Sequence, residues 1–263
     1  MAAESILTIE LHPAYFAFAV KEPDTSVFQS VVLDHNERNI TPVIDVDALS
    51  EWLKQYQTVW NRTYQKICIS LHGYPVTVAP DEEAAEDFLV TLFGIDEQQY
   101  HIARAEFDRD FIWVLGIPKA IKSLLDNYFL GAMLVPGAHG ICKQLLHSNQ
   151  DSHSLNLHIT PKEACFFFIQ QNRPLYYNVF RYTDEEDLLY YILLVYKMLD
   201  LDPESFPISL TGLIEADSNL YKMLYQYIRN IYIAELPVPV AEDSYDSLII
   251  QPNYLANLVF SAN

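Results

Sequence analysis

Two stretches of this chain follow one alternation of apolar and polar residues. Leu7-Thr8-Ile9-Glu10-Leu11-His12-Pro13 runs on through Phe16-Ala17-Phe18-Ala19-Val20, and Leu155-Asn156-Leu157-His158-Ile159-Thr160-Pro161 runs on through Cys165-Phe166-Phe167-Phe168-Ile169. Successive side chains of a strand point to opposite faces, so each stretch predicts a strand, a turn closed by proline and a second strand. A third strand is expected at the same remove in each, from Val27 to Val32 and from Leu175 to Phe180. Further along, Ile69-Ser70-Leu71-His72-Gly73 and Ile208-Ser209-Leu210-Thr211-Gly212 agree at four of five positions. The pattern predicts a duplicated β-β-β-α-β unit, hence an α/β protein with two similar lobes, each a mixed sheet flanked by helices.

Helical periodicity fills the intervals. Asp45 or Asp47 caps a helix from about Ala48 to Trp60, with Leu49, Trp52, Leu53, Tyr56 and Trp60 on one face. Tyr74 to Pro80 is an extended piece fenced by prolines, and Asp81-Glu82-Glu83 opens a helix through Phe93. A buried strand is expected from Phe111 to Ile117, with Pro118 as the first-turn proline of a helix to Phe129. A short strand at Leu134-Val135-Pro136 precedes a helix to Leu146, and the polar run from His147 to Ser154 reads as the linker between lobes. In the second half, Asp184 to Asp187 opens an apolar helix whose stretch from Leu188 to Met198 is expected to be buried on most sides. A helix from about Ser218 to Ile228, a strand from Ile231 to Glu235 and a last helix from Pro252 to about Phe260 complete the reading.

Composition narrows the function classes. Half of the 263 residues are hydrophobic, enough for sizeable cores. A formal net charge of −19 repels phosphate backbones and anionic lipid, so no nucleic acid is expected as a partner. The apolar runs are too short for direct membrane insertion, and Cys68, Cys142 and Cys165 form neither a CxxC pair nor a disulfide framework. A cytoplasmic protein is the expectation. The acidic clusters at the starts of the two helices satisfy free N–H groups and the helix dipole, so no metal site is assigned to them.

The order of elements, with Gly116-Ile117-Pro118 before a helix and Tyr254-Leu255-Ala256-Asn257-Leu258 near the end, resembles the actin-like ATPase superfamily, which shares its core with ribonuclease H. It is similar in layout to the actin-like assembly proteins of type IV pili and type II secretion. It also resembles a bacterial family of unknown function whose members are assigned this fold. The resemblance implies a duplicated ribonuclease H-like fold: residues 1–148 as a first lobe with a small inserted subdomain at about 75–110, and residues 149–263 as a second lobe. It also implies that the C-terminal helix returns to the first lobe.

The resemblance locates a nucleotide cleft at Glu10, His12, His72, His158, Thr160 and Gly212. Members that bind ATP carry D-x-G in the turns of both hairpins. Glycine lets backbone N–H groups approach phosphate, and aspartate positions magnesium and the attacking water. Here the glycine position is His12 in one copy and Thr160 in the other, each followed by proline, which has no N–H to donate. The adenine-side pair of glycines is replaced by Gly212-Leu213, and the chain has only seven glycines. No cofactor is therefore expected and no catalytic residue is assigned. ATP with magnesium belongs to the alternative, a divergent ATPase or sugar-kinase-like phosphotransferase using Glu10. The favoured expectation is a non-catalytic, actin-like-fold protein acting on a protein partner of unknown identity, and a homodimer is compatible with the sequence.

Overall fold

The computed structural model describes residues 5–23, 25, 28–35, 42–80, 82–107, 111–147, 154–170, 173–234, 257–258 and 260–261. The linker at 148–153 and the residues 254–256 lie outside these. The chain divides into two compact units. One comprises Met1–Lys143 and is joined by Asn257–Asn263; the other is built on Gln144–Pro237.

In the first unit, β1 (Ser5–His12), β2 (Tyr15–Lys21) and β3 (Phe28–His35) form an antiparallel meander. Two helices follow where one was expected. Asp45 caps α1 (Val46–Gln55) by accepting from the Ala48 N–H at 2.8 Å, and Tyr56 breaks the run before α2 (Gln57–Trp60). The chain then returns as β4 (Tyr64–Leu71), parallel to β1. After β5 (Val76–Ala79), α3 (Glu82–Phe93), β6 (Tyr100–Glu106), β7 (Ile112–Pro118) and α4 (Lys119–Tyr128), β8 (Met133–Pro136) joins beside β4 and leads into α5 (His139–His147). The main sheet has the order β3-β2-β1-β4-β8, while β5, β7 and β6 make a separate three-stranded antiparallel sheet with β7 central. Pro118 ends β7 with ψ 133° and caps α4, so it sits one position before the helix.

The second unit repeats the main sheet. β9 (Leu155–Thr160), β10 (Glu163–Gln170) and β11 (Arg173–Arg181) form the meander, and α6 (Glu185–Met198) is capped by the Asp184 carboxylate. Then come β12 (Ile208–Gly212), α7 (Asn219–Leu224) and β13 (Ile231–Ile233). The order is β11-β10-β9-β12-β13, with the same parallel and antiparallel pairs as in the first unit. α7 is shorter than expected, and Ser218 caps it by accepting from the Tyr221 N–H. α6 is not buried on most sides: Leu188, Ile192, Val195 and Tyr196 face the core, while Tyr190 and Met198 are exposed.

Each core lies on the odd-numbered face of its central strands. Leu7, Ile9 and Leu11 pack with Leu49, Trp52 and Leu53 of α1 and Ile121 and Leu125 of α4. Leu155, Leu157 and Ile159 pack with Leu188, Ile192 and Val195 of α6. Burying one such side chain fully contributes about 1.5–3 kcal/mol, so each sheet is held by this face. The even-numbered positions are buried too, yet polar: Thr8, Glu10 and His12 in one copy, Asn156, His158 and Thr160 in the other.

The ladders correct one sequence match. Ser70 pairs with Glu10 and Leu71 with Leu11, whereas Thr211 pairs with His158 and Gly212 with Ile159. Residues 10 and 158 are equivalent, since both hairpins close on two-residue turns, His12 opposite Tyr15 and Thr160 opposite Glu163. Ser70 is therefore equivalent to Thr211, and Leu71 to Gly212. The Ile-Ser-Leu match between the two segments is offset from the true register by two residues.

Candidate functional site

The first hairpin places Glu10, His12 and Tyr15 on one face. Glu10 is 1% exposed, and a bare carboxylate at that depth would cost several kcal/mol. The protein surrounds it with donors. Tyr15 Oη donates to Glu10 Oε1 at 2.6 Å, and His72 Nε2 lies 3.1 Å from the same oxygen. Asn257 Nδ2 donates to Oε2 at 3.1 Å. His12 stacks on the Tyr15 ring at 4.7 Å and meets the His72 ring edge-on at 4.9 Å.

Small residues make room for this cluster. A Cβ on Gly137 would fall 2.2 Å from the His72 ring, and one on Gly140 would fall 2.4 Å from Asn257 O and 2.6 Å from Ser261 N. Gly140 sits in the first turn of α5, where backbone N–H groups have no partner within the helix. Its N–H donates to Asn257 Oδ1 at 3.1 Å. One carboxamide thus serves α5 with its oxygen and Glu10 with its nitrogen. Ser261 adds a bond to Ser70 across β4, with the two hydroxyls 2.9 Å apart. The short helical stretch of Asn257, Leu258 and Phe260 is buried against the first unit by these contacts. His139, beside Gly140, is 1% exposed, and neither ring nitrogen has a hydrogen-bond partner among the described residues. Burial, aided by Lys143 and Lys66, holds its pKa down at about 3, so it is neutral.

The turn itself offers little to a phosphate. Pro13 has no N–H, and the Ala14 N–H donates to His12 Nδ1 at 3.0 Å. That bond fixes the unprotonated nitrogen of His12 as Nδ1.

The second hairpin holds His158, Thr160 and Gly212 together in its own unit. His158 Nδ1 lies 3.1 Å from Thr211 Oγ1, which also reaches Leu157 O at 3.4 Å. Thr160 Oγ1 donates to Glu163 O at 3.3 Å, and Tyr182 Oη donates to Thr160 O. Pro161 again opens the turn, and Lys162 takes the left-handed conformation with φ 67° where a glycine would be unstrained. Gly212 has φ 83°, and a Cβ there would lie 2.0 Å from Ile159 O. The Leu213 N–H donates to Ile159 O as the His72 N–H donates to Leu11 O, so Leu213 occupies the place of His72.

Sequence reasoning named Glu10, His12 and His72 and missed what holds them: Tyr15, Asn257, Ser70 and the two close-approach glycines. Tyr15 was accessible in principle, because a two-residue turn after His12 puts it on the face of Glu10. Asn257 was not, being 247 residues away from its partner.

This combination of sheet order, duplication and flanking helices defines an actin-like ATPase fold. Among solved structures, a Bacteroides thetaiotaomicron protein with an actin-like ATPase fold and unknown function superposes with a TM-score of 0.75 at 17% identity, covering 94% of this chain and 95% of that one. A chain of the PilM–PilN type IV pilus biogenesis complex gives 0.65 at 12% identity, covering 98% and 97%. The ethanolamine utilization protein EutJ from Carboxydothermus hydrogenoformans gives 0.56 at 8% identity, covering 100% and 90%. The chain belongs to the family described as protein of unknown function (DUF3822), whose model matches residues 1–231. No curated protein matches the sequence. Among the described residues, no helix is long and apolar enough to cross a membrane.

Proposed function

We propose that this chain is a non-catalytic member of the actin-like fold that serves a cytoplasmic assembly as a protein-interaction module, its nucleotide site having degenerated. The observation that carries this reading is the state of Glu10. It stands where ATP-binding relatives are expected to keep their catalytic aspartate, and both its oxygens already accept bonds from the protein. A carboxylate that is to hold a hydrated magnesium needs an oxygen directed at the ion or its water shell. The turns add to this: in the first the Ala14 N–H is taken by His12, and neither Pro13 there nor Pro161 in the second has an N–H to donate. Phosphoryl transfer depends on positioned donors around the phosphates, and a turn without them is not organised for it. An assembly role is supported by the likeness to a chain of the PilM–PilN complex, which itself works with a partner.

Melting the full chain with and without millimolar Mg–ATP tests the reading. A ligand at about 100 times its Kd would stabilise by about 2.7 kcal/mol, a shift of several degrees for a chain of this size. No shift and no phosphate release are expected. A rise in melting temperature that Glu10→Gln abolishes would overturn the proposal and restore a divergent ATPase.

A further inference from the structure

The separate three-stranded sheet carries α3 on one residue among the helix's described side chains. Leu89 is fully buried against Ala79, Ile95 and Val114. Around it the helix turns apolar groups outward: Phe88, Val90, Leu92 and Phe93 are 39%, 36%, 58% and 46% exposed. Phe88 and Leu92 lie one turn apart and so share a face, directly beside the Leu89 seam. Isolated surface leucines are ordinary, but Phe88 and Leu92 form an exposed apolar pair on one flank of the Leu89 seam, with Phe93 and Val90 exposed on its other flank. The charge along this stretch of the sequence has one sign. No lysine or arginine occurs between Lys66 and Arg104, while carboxylates stand at positions 81–83, 86, 87, 96 and 97. Asp87, Asp96 and Glu97 are exposed beside the apolar residues in sequence.

We propose that this face of α3 docks a short amphipathic helix of another protein, with apolar anchors on one side and lysine or arginine along its rim. The proposal deepens the interaction-module reading and rests on it. An apolar strip accepts the anchors of a helix spaced three and four residues apart, and the carboxylates favour a cationic rim while rejecting an anionic one. A second copy of this chain is a poor occupant, because it would bring an equally acidic patch against the first. Anionic lipid and nucleic acid are opposed for the same reason.

The test uses the full chain and three synthetic 18-residue peptides followed by fluorescence anisotropy: an amphipathic leucine–lysine helix, its leucine–glutamate counterpart, and a scrambled leucine–lysine peptide with no apolar face. The first should bind at least tenfold more tightly than either of the others. Phe88→Ser with Leu92→Ser should weaken it at least tenfold while the melting temperature falls by no more than a few degrees, since both side chains are more than a third exposed. Asp87→Asn with Asp96→Asn and Glu97→Gln should weaken it several-fold and flatten its salt dependence. Equal binding of the scrambled peptide, or no loss in the serine variant, would overturn the proposal. A dimer in solution that the serine variant dissolves would also overturn it, assigning the face to a second copy. A response to Mg–ATP would strike the degenerate-site half of the proposed function and leave its interaction half, on which this surface rests, to the peptide series, whereas failure of the peptide series would leave nucleotide silence untouched.

Discussion

The two copies of the hairpin bury polar side chains at the same positions and satisfy them by different means. At position 10 the first copy has a carboxylate held by Tyr15, by His72 two residues beyond the Ser70 partner position, and by Asn257 from the far end of the chain. At the equivalent position 158 the second copy has a histidine, whose Nδ1 lies 3.1 Å from the Thr211 hydroxyl on the adjacent strand. Where His72 reaches in, the second copy has Leu213. A carboxylate buried at 1% exposure demands more donors than its own hairpin can supply, so it draws on Asn257 from the C-terminus, whereas the imidazole at 158 meets a hydroxyl of the adjacent strand. The asymmetry follows from the residue type at one position, a carboxylate at 10 and an imidazole at 158.

The largest test of this contrast is Glu10→Ala against His158→Ala. Removing the buried anion strands three donors and is expected to cost about 3–5 kcal/mol in the first unit. Losing the imidazole forfeits one good hydrogen bond and some packing, about 1–3 kcal/mol in the second. Amide exchange read separately at β1 and β9 distinguishes the two. Gly212→Ala comes next, at about 2–5 kcal/mol, because it combines a left-handed φ with a Cβ against Ile159 O. The equivalent residue Leu71 has no such constraint.

A pH effect of about 2 kcal/mol is expected in the first unit from His139. His139 titrates near 6.5 when unfolded and near 3 when folded, so below pH 6.5 the unfolded chain takes up a proton that the folded one refuses. Its contribution is whole above pH 6.5 and is lost as pH falls toward 3, by about 1.4 kcal/mol per unit at most. Chemical denaturation at pH 6.5 and 5 should show His139→Leu losing less stability than the wild type. Gly140→Ala should cost about 1–3 kcal/mol by crowding Asn257 O, with faster exchange at residues 257–261 and none at β9. Smallest is Pro13→Gly, at about 0.5–1 kcal/mol through chain entropy, with no gain of Mg–ATP binding.

Much of the fold was legible because alternation is a strong signal. The even polar and odd apolar positions of residues 7–12 and 155–160 gave the strands, the duplication and the buried faces. The register of the fourth strand was not legible, for a physical reason. A slip of two residues keeps every side chain on its own face, so the Ile-Ser-Leu match at 69–71 and 208–210 satisfied the pattern while the ladders pair them differently. The break at Tyr56 was hidden by apolar residues that continue the helical period through Trp60. At the site, the residue types of Glu10, His12 and His72 were visible and their use was not. Whether a buried carboxylate faces a ligand or the protein's own donors depends on Asn257 and on the glycines that let it approach, and no local pattern reports a contact spanning nearly the whole chain.

The most direct test of the claim that Glu10 is consumed within the protein is a double-mutant cycle on Glu10→Gln and Asn257→Leu, read by the denaturation of the first unit. A hydrogen bond to a buried charge should give a coupling of about 1.5–3 kcal/mol, with the double variant less destabilised than the sum of the two. A coupling below about 0.5 kcal/mol would mean that the two side chains act independently, and would leave the Glu10 carboxylate available to a ligand.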